Sequence, residues 1–67
     1  MQIDVMALSR AIAATGRSVA DVSQEAHVSQ LTVGNWLKGE GSRPRLDTLG
    51  RLAKALDVDI YDIAKED

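Results

Sequence analysis

Apolar residues recur along this chain at spacings of three and four, in five short stretches. Val5, Leu8, Ala11 with Ile12, and Thr15 make the first. Val22 and Ala26 make the second, with apolar Val28 just after it, and Val33, Trp36 and Leu37 the third. Leu49, Leu52, Ala53 and Leu56 form a clean stripe, and Ile60 with Ile63 a short last one. This is the period of a helix that turns one face to a core. No strand is expected. There is no internal repeat and no low-complexity tract.

The residues between the stripes set the helix ends. Asp4 can cap a helix from Val5 to about Thr15, which Gly16 ends. Ser18 can cap a second over roughly Val19 to Ala26, with Asp21 near its positive end. His27 and Val28 make a tight turn. Ser29 starts a third helix, which runs to about Lys38. Lys38 places a cation in the last turn, and Gly39 can take the left-handed conformation that closes it. Glu40 to Arg45, EGSRPR, reads as a loop. Pro44 lacks an N–H and pushes Arg43 toward an extended conformation. A fourth helix is expected from about Asp47, as its cap, to Leu56, and Asp59 can cap a short fifth through Ala64. Residues 1–3 are expected to be loose, and Lys65, Glu66 and Asp67 to fray. The expectation is an all-α fold of about five short helices, in one domain spanning residues 1–67.

The centre of this arrangement is the helix pair over residues 18–39. If Val33, Trp36 and Leu37 face the core, the outer face of the third helix carries Gln30, Leu31, Thr32, Gly34 and Asn35. A helix capped by Ser, with Gln, Thr and Asn outward, offers polar groups to a groove.

These residues carry a resemblance. Val22-Ser23, His27-Val28-Ser29, Thr32-Val33, Asn35-Trp36-Leu37 and Gly39 resemble the helix-turn-helix of phage repressors and related lambda-repressor-like (XRE-type) bacterial regulators. Downstream, Arg43-Pro44, Leu46, Leu49, Leu52-Ala53, Ala55-Leu56 and Val58 also fit, so that residues 6 to 63 are covered. The resemblance implies a lambda-repressor-like domain that binds double-stranded DNA as a transcriptional regulator, most often a repressor, with helix 29–38 in the major groove. It implies base contacts from Gln30, Leu31, Thr32 and Asn35, and phosphate contacts from Arg17, Ser29, Lys38, Arg43 and Arg45. The chemistry is apt. A Gln amide matches the N6 and N7 edge of adenine, an exposed Leu can meet a thymine methyl, and Arg binds phosphate bidentately without reading sequence. Thr32 and Asn35, three apart, share one face and suit a base edge or a phosphate. Leu31 also suits packing on the preceding helix or on a partner. Gly34 either admits a close approach of backbone to DNA or marks a position where no side chain is needed.

The chain departs from the family pattern in three places. His27 stands where Gly is usual, at a position that needs a left-handed backbone. Val19 replaces a Gln that holds phosphate in many relatives. Ile12 and Leu37 stand where some relatives have an Arg–Glu pair, so an apolar contact between them is expected instead.

Composition adjusts this picture. The net charge of −2 is unusual for a nucleic-acid binder, but the charges are segregated. Residues 35–55 hold five Lys or Arg against two acidic residues, and residues 56–67 hold one against five. The positive block adjoins the third helix. It either greets a phosphate backbone or is ordinary solvated surface. Trp36, three after Val33, is expected in the core. There is no Cys and a single His, which leaves no disulfide, no metal site and little nucleophilic chemistry. No enzyme constellation, cofactor motif or small-molecule site is evident. With no membrane-length apolar run and no secretory leader pattern, the expected setting is the cytoplasm of a bacterium or phage host.

Two copies are expected to act together, because one such domain reads only a short half-site. Val58, Ile60, Tyr61 and Ile63 are the candidate dimer surface, unless Ile60 and Ile63 simply close the core. The alternative function is a protein-interaction module, antitoxin-like or scaffold, on the same fold. The acidic balance and Val19 favour it. The Arg43–Arg45 loop and the polar face of the third helix oppose it.

Overall fold

The computed structural model describes residues 1–40 and 43–66. Four helices carry the fold: α1 Val5–Thr15, α2 Val19–Ala26, α3 Gln30–Leu37 and α4 Leu46–Ala55. A 3-10 turn over Ile60–Asp62 follows α4. Two short strands, β1 Gln2–Ile3 and β2 Ala64–Lys65, pair antiparallel in the register Gln2 with Lys65 and Ile3 with Ala64.

The expected caps of α1 and α2 form. Asp4 accepts from the Ala7 N–H at 3.1 Å, and Ser18 from the Asp21 N–H at 3.1 Å. The helix C-termini share one closing device. After α2, α3 and α4 a residue with positive φ is followed by an N–H that reaches back five residues. Val28 donates to the Ser23 carbonyl at 3.0 Å, Glu40 to Asn35 at 2.9 Å, and Val58 to Ala53 at 3.0 Å. The left-handed residue is Gly39 after α3, but His27 (φ 57°) after α2 and Asp57 (φ 58°) after α4. After α1 the same bond runs through a side chain. The Arg17 N–H donates to the Thr15 hydroxyl at 3.0 Å, which donates to the Ile12 carbonyl at 2.6 Å. Each arrangement satisfies carbonyls that a helix end leaves open.

The core is built from the predicted stripes. Leu8, Val22, Val33, Leu49, Leu52 and Ile63 are fully buried, with Ile12, Ala26, Val28, Trp36, Ala53, Leu56 and Ala64 nearly so. α2 packs on both α3 and α4, and α1 packs on α3. Ile12 belongs to this cluster and Leu37 packs against it, so both stand on its apolar side and not in an ion pair.

Four expectations are corrected. α4 starts at Leu46, with Arg45 in extended conformation (φ −75°, ψ 140°) before it. Asp47 is therefore inside the first turn and not the cap, and its carboxylate accepts from the Thr48 N–H at 2.9 Å. The fifth helix is one 3-10 turn. Asp59 and Asp62 close it reciprocally through a capping box, and the chain then extends as β2. Gln2, Ile3 and Lys65 are not loose, because the strand pair holds them and Asp4 donates its N–H to the Ile63 carbonyl at 3.0 Å. Ile63 is fully buried and so leaves the candidate dimer surface, where Tyr61 stays exposed and Val58 and Ile60 are half-buried against the core. Gly41 and Ser42 of the expected loop, and Asp67 of the expected fraying tail, lie outside the described residues.

Candidate nucleic-acid interface

The helix pair presents α3 rigidly, and local chemistry explains how. Ser29 caps it by accepting from the Leu31 N–H at 3.2 Å, and Gly39 with Glu40 closes its other end. Val33 and Trp36 anchor one face in the core, at 0% and 6% exposure. The first turn then points outward. Gln30 is exposed, and Leu31 is 73% exposed, more than Met6, Leu46 or Tyr61. Thr32, Gly34 and Asn35 are half-buried along the same helix, and Lys38 at its end is exposed.

Several of the residues named from sequence converge. Thr32, Asn35, Arg43 and Arg45 line one cleft of about 280 Å³ between α3 and the start of α4, with Trp36, Pro44 and Thr48. Arg45 also pairs with Asp47, Nε to Oδ1 at 3.6 Å, both well exposed. Arg17 is placed apart from this group. Its guanidinium pairs with Glu25 at 2.6 Å and donates to the Asp21 carbonyl at 3.4 Å, so it braces α2 in the free protein.

Thr48 was missed by the sequence reading, because placing the cap at Asp47 hid how α4 begins. Trp36 was placed only in the core, which is where most of its surface lies. Position three after Arg45, within a first helical turn, is the signal that would have found Thr48.

The sequence model of a helix-turn-helix family matches residues 8–63, most of the chain. The protein belongs to this lambda-repressor-like (XRE-type) helix-turn-helix family. No curated protein and no solved structure matches it. The family is one of DNA-binding regulatory domains, and the match spans both α2 and α3. Among the described residues, no helix is long and apolar enough to cross a membrane, and no group of His, Cys, Asp or Glu is placed to hold a metal ion.

Proposed function

We propose that this helix-turn-helix protein is a sequence-specific transcriptional regulator, acting as a repressor in the cytoplasm of a bacterium or phage host. Residues 1–67 act as one domain. Helix α3 enters the major groove, with Gln30, Leu31, Thr32 and Asn35 at base edges. Ser29, Lys38, Arg43 and Arg45 hold phosphates, and Arg17 joins them by exchanging Glu25 for the backbone. One observation carries this reading: α3 is locked to the core by Val33 and Trp36 while Gln30 and Leu31 stand exposed, beside a cleft that gathers Thr32, Asn35, Arg43 and Arg45. A helix fixed on one side and polar on the other is suited to base-edge readout.

The protein acts as a homodimer that sets two copies of α3 about one DNA turn, roughly 34 Å, apart. Exposed Tyr61, with half-buried Val58 and Ile60 beside it, is the surface that would join them. Selection from a randomised duplex pool tests both points. An enriched palindromic motif, lost with Gln30→Ala plus Asn35→Ala, is the expected result.

The interaction-module reading draws on Val19 and on the Arg17–Glu25 pair, which occupies one expected phosphate-binding cation. Folded protein that enriches no motif at low salt would favour it. Binding to duplex that weakens steeply with salt would exclude it, because phosphate contacts release counterions.

A further inference from the structure

The second half of α4 and the turn after it form a face that no other element covers. Leu49, Leu52 and Ala53 are turned into the core, while Arg51 and Lys54 are exposed and Ala55 is half-buried. The chain then passes through exposed Asp57, Asp59 and Asp62, with Val58 and Ile60 half-buried between them. Lys54 is the ridge between two grooves. On one side it stands with Arg51 and His27, on the other with Asp57, Asp59 and Asp62. The first groove holds one carboxylate, that of Glu25, and Arg17 already pairs with it. The second is acidic apart from Lys54 itself.

These charges are unspent within the chain. Among the described residues, Arg51, Lys54 and Asp57 make no ion pair and no side-chain hydrogen bond, although Lys54 and Asp57 are three apart. Asp59 and Asp62 accept from backbone N–H groups of their own turn, which leaves each carboxylate room for a cation.

A face with opposite charges in adjacent sectors fits a copy of itself turned round. In a two-fold contact, if one residue meets a second, the second meets the first. Two α4 helices crossing antiparallel near Ala55 and Val58 set Lys54 opposite Asp57 of the other copy and Arg51 opposite Asp59 of the other copy. Each pair then occurs twice. A parallel crossing would set like charge against like. The contact is also continuous with Val58, Ile60 and Tyr61, the surface already assigned to self-association.

We propose that the homodimer forms through this charge-registered contact, the basic groove of each copy receiving the acidic turn of the other, with Ala55 and Val58 near the axis. The inference rests on the homodimer reading above, to which it adds the orientation and register of the second copy. Exposed charge pairs are screened by salt, so dimerisation becomes sensitive to ionic strength.

The test is sedimentation equilibrium of the full chain without DNA, at low and high salt. Three samples are compared: Lys54→Glu, Asp57→Lys, and the two mixed in equal amounts. Each variant alone sets like charges together twice and should raise the dimer dissociation constant about tenfold. In the mixture both pairs are attractive again, with their signs exchanged, so the heterodimer should form where neither homodimer does. Asp57 has positive φ, which Lys tolerates poorly. Asp57→Asn suits that backbone and removes only the charge, so it should weaken the dimer even if Asp57→Lys disturbs the turn.

A wild-type dimer that Lys54→Glu and Asp57→Asn leave intact overturns the proposal and places the dimer contact elsewhere. A mixture no tighter than its components, from variants that circular dichroism shows folded, overturns it too. Assemblies that grow past two copies would mean a head-to-tail contact and exclude the two-fold. Wild type that stays monomeric at millimolar concentration and low salt is a different failure, that of the homodimer reading itself.

Discussion

Replacing Gly34 with Ala should stabilise this protein while weakening its hold on DNA. Gly34 is the fifth residue of the eight in α3, and it is not among the glycines with positive φ. A Cβ built on it meets nothing within 4 Å. Ala is therefore accommodated with neither strain nor collision. The intrinsic helix preference of Ala over Gly is about 1 kcal/mol, mostly because Gly loses more backbone freedom on folding. In a domain of this size that corresponds to a rise of about 4–8 °C in Tm. Thermal melts followed by circular dichroism would measure it. The open space beside Gly34 is also the space a DNA strand needs if it approaches the α3 backbone closely. The added methyl group would then lower affinity for the selected duplex, although the fold is tighter. An unchanged or lower Tm refutes the packing argument. A raised Tm with unchanged affinity shows that Gly34 merely needs no side chain.

Other consequences follow from single positions. His27 holds the left-handed turn at the end of α2, so His27→Gly should raise stability by about 1 kcal/mol, seen as a higher urea midpoint with an unchanged slope. Ser23→Ala removes a sealed hydroxyl with no partner among the described residues and suits a helix interior better, so a gain of about 1 kcal/mol is expected in the same assay. Leu52→Ala empties a fully buried position at a cost of about 2–5 kcal/mol, comparable with the whole stability of so small a domain, and far-UV dichroism should show extensive unfolding near room temperature. Asp47→Asn removes a negative charge from the edge of the cleft and should strengthen DNA binding at low salt, as measured by fluorescence anisotropy.

The helix-turn-helix was readable because its determinants are local. Ser18, Ser29 and Gly39 act within one turn of themselves, and the 3-4 stripes select the buried face without any tertiary information. The left-handed His27 was expected from the resemblance, since the family usually has Gly there. The errors fall where distant parts of the chain decide. Met1-Gln2-Ile3-Asp4-Val5 alternates apolar and polar residues, but so short a signal at a chain end becomes a strand only because residues 64–65 lie beside it. Ile63 was ambiguous from spacing alone, and packing consigned it to the core. The start of α4 was misjudged because Asp47 is a good cap by type, yet Pro44 and an extended Arg45 bring the helix in earlier. The contacts of the α3 face were legible as residue types but not as a cleft, because the cleft needs α4 to complete it.

The pairing of β1 with β2 has a kinetic consequence. Joining Ile3 to Ala64 closes a loop of roughly 60 residues, an entropic cost of order 3–4 kcal/mol by the logarithmic loop law. A ladder two residues long cannot offset that by itself. It becomes favourable only after the helices have brought the chain ends together and buried Ile63 and Ala64. This contact should therefore be the last to lock in folding and among the first to open in the native state, with amides that exchange with solvent faster than those of the helical body. Since β1 also walls the cleft beside Trp36 and Arg43, each such opening would open that wall as well.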